Sequence, residues 1–292
     1  MYFRKKGISN VLGFVLFFGV FIKPILANDG YKTFNVKLNF GLGYSSDSNL
    51  CAFVNAFEDY AREIADQWVL TKWGDIQWTN YGYAGEGEFI VKFSRRFGLG
   101  VGIGYIFKSK NDHVELGPIP FMEGSVDFRL KVIPLTLSAY YYIPLSRKTE
   151  IFVKGGPGYY WSRIDYELLL TALGDSVTTK ADIHDRALGF QGGAGIEYKV
   201  SNRIALFAEG TGRLVKFSNW EGNETESAPY NTQKSGPVWL VDELYTGLST
   251  VNYYTALSYG EKPSDSALIK NVRRFSVDIS GFTFQIGIWI GF

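Results

Sequence analysis

Cysteine occurs once in the 292-residue sequence, as Cys51, and histidine twice, as His113 and His184. An intrachain disulfide and a multi-cysteine metal site are excluded, and Cys51 lies far from any N-terminal lipid-attachment position. Beyond the first 27 residues, no stretch reaches the roughly eighteen consecutive apolar residues of a spanning helix. A formal charge of +1 carries no basic footprint for nucleic acid. Proline is sparse, at 9 positions, while 33 glycines and 17% aromatic residues favour many glycine-punctuated strands over a helical bundle.

The start reads MYFRKK, then an apolar run from Val11 to Ile22, then Lys23, Pro24 and the small residue Ala27. That order predicts a secretory signal over 1–27, cleaved after Ala27, with 28–292 as one domain. An uncleaved anchor is the second reading, and the shortness of the run argues against it. Removing 1–27 takes away four basic residues and no acid, so the formal charge moves from +1 to −3.

The last residues, ISGFTFQIGIWIGF, set Phe282, Phe284, Ile286, Ile288, Ile290 and Phe292 against Gly281, Thr283, Gln285, Gly287, Trp289 and Gly291. Successive side chains of a strand point to opposite faces, so one face here is wholly apolar. On a soluble edge strand such a row invites aggregation, whereas the lipid-facing wall of a closed barrel requires it. Seven further segments alternate in the same way, near 34–44, 82–93, 98–107, 126–143, 150–161, 188–199 and 203–215. Pro134 cannot donate to a ladder and predicts a bulge or break in the fourth. Connections after the second, fourth and sixth segments are short. Those after the first, third, fifth and seventh are long, at about 45–81, 108–125, 164–184 and 216–278.

The pattern predicts an all-β fold: an eight-stranded antiparallel transmembrane up-and-down β-barrel with long extracellular loops, and short turns and termini in the periplasm. A soluble sandwich would show shorter loops and less apolar outer faces. On this parity the lumen receives Lys37, Glu86, Glu88, Lys92, Lys154, Gln191, Glu197, Lys199, Glu209, Arg213 and Gln285. Both signs together predict a paired polar plug, with a conducting path as the alternative. Tyr140, Tyr141 and Tyr142, and Tyr159, Tyr160 and Trp161, read as interfacial aromatic belts.

In the first long loop, Phe53, Phe57, Tyr60, Ile64 and Trp68 recur at helical spacing and predict one amphipathic helix. With Trp239 and Leu240 of the last loop they are candidates for a hydrophobic vestibule, or for a cluster that keeps the loops folded. His184 beside Asp185 is the one pairing that suggests catalysis, and no serine motif accompanies it, so the chain reads as non-enzymatic. Nothing implies a cofactor or metal.

VIPLTLSAYYYIPL, GGPGYYW and the aromatic terminal strand resemble the bacterial eight-stranded outer-membrane β-barrel superfamily, which includes OmpA-like and OmpW-like proteins. The resemblance implies residence in the bacterial outer membrane, contact with outer-membrane lipid and lipopolysaccharide, and an assembly signal for the barrel-insertion machinery at Phe282, Phe284, Trp289 and Phe292. It also implies two functional readings. One is a barrel that binds or admits small hydrophobic molecules. The other is a structural or surface-interaction barrel binding lipopolysaccharide or a partner through its loops. A lipid A-modifying enzyme is a lesser third.

Overall fold

The computed structural model describes residues 33–68, 71–74, 79–117, 122–172, 175–227, 229, 231–246 and 251–292; the expected signal over 1–27 lies outside them. Along the chain run β1 (Thr33–Ser45), α1 (Ser48–Trp68), β2 (Lys72–Trp73), β3 (Tyr81–Lys92), β4 (Phe97–Leu116), β5 (Met122–Pro144), β6 (Thr149–Ala172) and β7 (Asp175–Lys199). They are followed by β8 (Ile204–Leu214), β9 (Lys216–Phe217), β10 (Glu221–Glu226), β11 (Gln233–Thr246), β12 (Val251–Tyr259), β13 (Ile269–Arg274), β14 (Val277–Asp278) and β15 (Gly281–Gly291).

Eight strands close on themselves in the order β1, β3, β4, β5, β6, β7, β8, β15, every neighbour antiparallel. The seam pairs β1 with β15, Leu38 opposite Ile288 and Gly41 opposite Gln285. Alternation explains the wall: Phe40, Leu42, Leu99, Val101, Leu135, Leu137, Ile196, Leu206, Phe284 and Ile286 are exposed outward, while Lys37, Glu88, Lys154, Glu209 and Gln285 are buried inward. Gly100 and Gly102 give carboxylates their room, since a Cβ would lie 2.3 Å from Glu88 Oε1 at the first and 2.9 Å from Glu86 Oε1 at the second. Lysine at Ile288, on the lipid face, should cost about 2–4 kcal/mol, and lysine at the lumenal Gln285 clearly less. Urea unfolding midpoints check this; equal losses would refute the facing.

Pro134 makes no bulge but does break the ladder, since neither it nor Ile133 is paired with β4. The register is the same on either side, Leu135 opposite Ile103 and Val132 opposite Ile106. Its ring is accommodated by Gly104, where a Cβ would lie 2.9 Å from Pro134 Cγ.

The three short turns share one device. Ser94 Oγ accepts from the backbone N–H of Arg96 and Phe97, Ser146 Oγ from Lys148 and Thr149, and Ser201 Oγ from Arg203 and Ile204. A serine hydroxyl thus mimics a turn carbonyl at each reversal.

At the other end the barrel is uneven. Within the expected long loops, 108–116, 122–125, 164–172 and 175–184 are strand: β4, β5, β6 and β7 run 20, 23, 24 and 25 residues, against 13 for β1 and 11 for β15. Inward parity is unbroken there and polarity is inverted. On β5, outward residues change from Ile133 and Leu135 to Asp127, Arg129 and Lys131, and inward ones from Thr136 and Ser138 to Val126, Phe128 and Leu130, all three buried. β10, β11 and β12 extend this sheet from β7, and β13 adds to β11. α1 packs against β12, β14 and β4, on the side where the shorter strands have ended. The result is a dome around one apolar core that includes Leu50, Phe53, Phe128, Ile164, Ile183, Trp220, Leu240 and Phe275.

Candidate functional site: the filled lumen and its dome

Three layers occupy the barrel axis. The middle one is ionic. Lys37 and Lys154 face inward because β1 and β6 alternate, and each is surrounded by carboxylates. Lys154 Nζ lies 3.1 Å from Glu86, 3.2 Å from Glu209 and 3.6 Å from Glu88. Lys37 Nζ contacts Glu209 and lies 3.8 Å from Glu88. Neutral donors add to the shell, Thr136 donating to Glu86 at 3.0 Å, Gln191 to Glu86 at 3.4 Å, Asn39 to Glu209 at 3.4 Å, and the Tyr140 hydroxyl to Glu88 Oε2, while Glu88 Oε1 is left without a hydrogen-bond partner among the described residues. Gln285 donates in turn to Asn39 at 3.0 Å. Two ammonium groups therefore face three carboxylates, a pairing dense enough to keep buried ions tolerable.

Towards the short turns the lumen is aromatic. The Trp289 indole lies 5.8–6.1 Å from the rings of Tyr140, Tyr142, Phe152 and Phe207, all edge-on. Lys37 stands over the Phe207 and Phe152 rings at 4.9 and 5.3 Å. Lys92 stands over Tyr142 at 3.8 Å. Such contacts favour a cation at a desolvated aromatic face. Below them Lys92 reaches Glu150 at 3.5 Å and Lys199 pairs with the same carboxylate. A cavity of about 670 Å³, lined in part by Lys92, Glu197, Lys199 and Trp289, opens at this end.

The third layer is the dome core. Buried Lys108 fastens the start of α1 to the wall, its Nζ 3.0 and 3.1 Å from the two Asp47 carboxylate oxygens. Phe53 packs on Phe57 and Tyr166 at 5.3 and 5.5 Å. The Tyr166 hydroxyl donates to Glu224 at 2.6 Å. Burial, with Tyr259 and Glu224 beside it, pushes that phenol well above its usual range and keeps it a neutral donor.

Of the expected lumen residues, the structure brings Lys37, Glu86, Glu88, Lys154 and Glu209 into one cluster. Lys92 and Glu197 belong to the lower layer with Glu150. Arg213 is buried above, its Nε donating to Ile279 O at 3.3 Å. Tyr140, Tyr142 and Tyr160 are not belt residues: all three are buried inward, and only Tyr141, Tyr159 and Trp161 remain outside. Their even numbering, shared with inward Thr136 and Lys154, was the available signal.

The residues expected to form a vestibule do not line one space. Phe53 and Leu240 lie within the packed core, and Tyr60 packs on Tyr254 at 5.4 Å. Trp239, next to Leu240 on a strand, faces the other way; its indole donates to Gly260 O at 3.0 Å under the Arg274 guanidinium, 4.5 Å away. Ile64 and Trp68 lie on α1, with side chains outside the described residues. Phe282, Phe284 and Phe292 are exposed on the lipid face, whereas Trp289 is lumenal and 2% exposed. His184 and Asp185 point to opposite faces of β7. The histidine is exposed, and the buried carboxylate caps the Arg186 and Asn219 backbone N–H groups at 2.6 and 2.7 Å.

The family model described as outer membrane protein beta-barrel domain matches residues 14–235. The crystal structure of the outer membrane protein OprG from Pseudomonas aeruginosa is similar over 89% of this chain and 95% of that one, at 13% identity and a TM-score of 0.40. Neisserial surface protein A is similar over 90% of this chain and 99% of that one, at 13% identity and a TM-score of 0.36. No curated protein matches the chain.

Proposed function

Because the chain belongs to the outer membrane protein β-barrel family and so resides in the outer membrane, we propose that it works as a sealed surface barrel, a non-enzymatic scaffold that carries a folded dome for contacts outside the cell. Residues 1–27 are then the export signal, removed after Ala27, and the short turns face the periplasm. The observation that carries this reading is the filled axis. An aromatic layer, an ionic layer and an apolar core follow one another from the open mouth cavity to the dome.

Entry of small hydrophobic molecules needs an apolar route from the dome to the lumen or the wall. The supporting residues for that reading, Phe53 and Leu240, are instead spent on holding the dome together. The dome's outer wall is polar and internally matched: Lys131 pairs with Asp165, Arg163 with Asp165 and Asp182, Arg129 with Asp127, and Lys180 with Glu167. Such a rigid, polar sheet suits recognition of lipopolysaccharide sugars or a protein partner better than membrane insertion.

Cells expressing the chain, in a strain without other small barrels, should take up radiolabelled naphthalene no faster than cells lacking it. A saturable rise in uptake would overturn the sealed reading in favour of a hydrophobic-solute barrel.

A further inference from the structure

The short-turn end gathers basic side chains. The three reversals read FSRRF, LSRKT and VSNRI, and hold Arg95, Arg96, Arg147, Lys148 and Arg203 without an acidic residue among them. All five are exposed. The two carboxylates nearest the mouth, Glu150 and Glu197, turn inward; Glu150 is already held by Lys92 and Lys199. Among the described residues, Arg96, Arg147, Lys148 and Arg203 make no ion pair, in contrast to the matched cations of the dome wall.

Their height on the barrel is fixed by the lipid belt. Exposed Phe93 and Phe97 bracket the first turn with rings stacked at 6.5 Å, and Phe97 packs on Tyr141 at 5.1 Å. Aromatic rings of this kind mark the interface, so the turn cations stand at or just beyond headgroup level. The serine hydroxyls that close the turns hold the backbone of these cations in place.

We propose that this ring of turn cations is a seat for anionic phospholipid of the inner leaflet, with phosphate diesters of the phosphatidylglycerol and cardiolipin type bridging Arg96, Arg147, Lys148 and Arg203. The charges are complementary, the site is continuous with the lipid-facing wall, and cations near a lipid surface each add to affinity for acidic headgroups. The seat orients the barrel by its inner rim, independently of what the dome binds.

Native mass spectrometry of the full chain, released from mixed micelles of cardiolipin and phosphatidylethanolamine, tests this. The wild type should retain cardiolipin preferentially. Combining Arg96→Gln, Arg147→Gln, Lys148→Gln and Arg203→Gln should lower that preference about tenfold to a hundredfold, while Lys234→Gln, Lys262→Gln, Lys270→Gln and Arg273→Gln on the dome should leave it unchanged. Should the turn variant not fold, the wild type in molar salt should lose the preference by screening. An unaltered preference in the variant or in high salt would overturn the proposal. So would wild-type binding to purified peptidoglycan sacculi without any lipid preference, which would reassign the ring to the cell wall.

Discussion

Replacing Lys154 with methionine should cost the folded barrel about 3–5 kcal/mol, the penalty for leaving buried charge without its partner. Among the described residues, Lys154 is the one group that touches all three central carboxylates, Glu86, Glu88 and Glu209, with its side chain fully shielded from solvent. Without it Lys37 alone opposes them, and Lys37 lies close to only Glu88 and Glu209. The loss appears as an earlier urea midpoint in heat-modifiability gels. Adding Glu86→Gln to the methionine variant should recover part of it, because one uncompensated carboxylate is removed while the Thr136 and Gln191 side chains remain nearby. A loss under about 1 kcal/mol would mean that water already solvates these groups and the lumen is wet.

Trp289→Ala should be of similar size, about 3–5 kcal/mol, for a different reason: it leaves a cavity among four aromatic rings that have no other filler. Trp289→Phe should cost less, since an edge-on ring is kept. The position also separates packing from assembly. If Trp289 acts through packing, the loss is present in purified, refolded protein. Normal stability in vitro with failed insertion in cells would return it to the assembly signal with Phe282, Phe284 and Phe292. Its place on the opposite face of β15 from those three favours packing.

The eight wall strands were legible because a lipid-facing row and a lumenal row differ sharply in chemistry, and Leu99 to Tyr105 against Gly98 to Gly104 needs no tertiary context to interpret. The upper parts of β4, β6 and β7 were not legible on the same rule. Once the wall leaves the membrane the outside must be polar and the inside apolar, so Asp165 and Glu167 outward with Tyr166 and Leu168 inward looked like loop where apolar outer faces were sought. The ionic cluster was readable residue by residue from parity, but which charges meet depends on stagger between strands, which no single strand encodes. That is why Lys92, Glu197 and Arg213 fall in other layers. Trp239 and Leu240 misled in the opposite sense: adjacent apolar residues suggest one patch, and a strand sends them to opposite faces. The serine turns were fully present in the sequence as three short Ser-x-basic reversals.

Single-channel recording of the wild-type full chain in a planar bilayer bears most directly on the sealed axis. With Lys37, Lys154 and their carboxylates packed between Trp289 and the dome, the current should stay at the level of bare lipid after insertion, verified by heat-modifiable mobility of the same sample. Stable conductance steps in most insertions would contradict the account, because ions cannot pass a lumen in which every layer is filled.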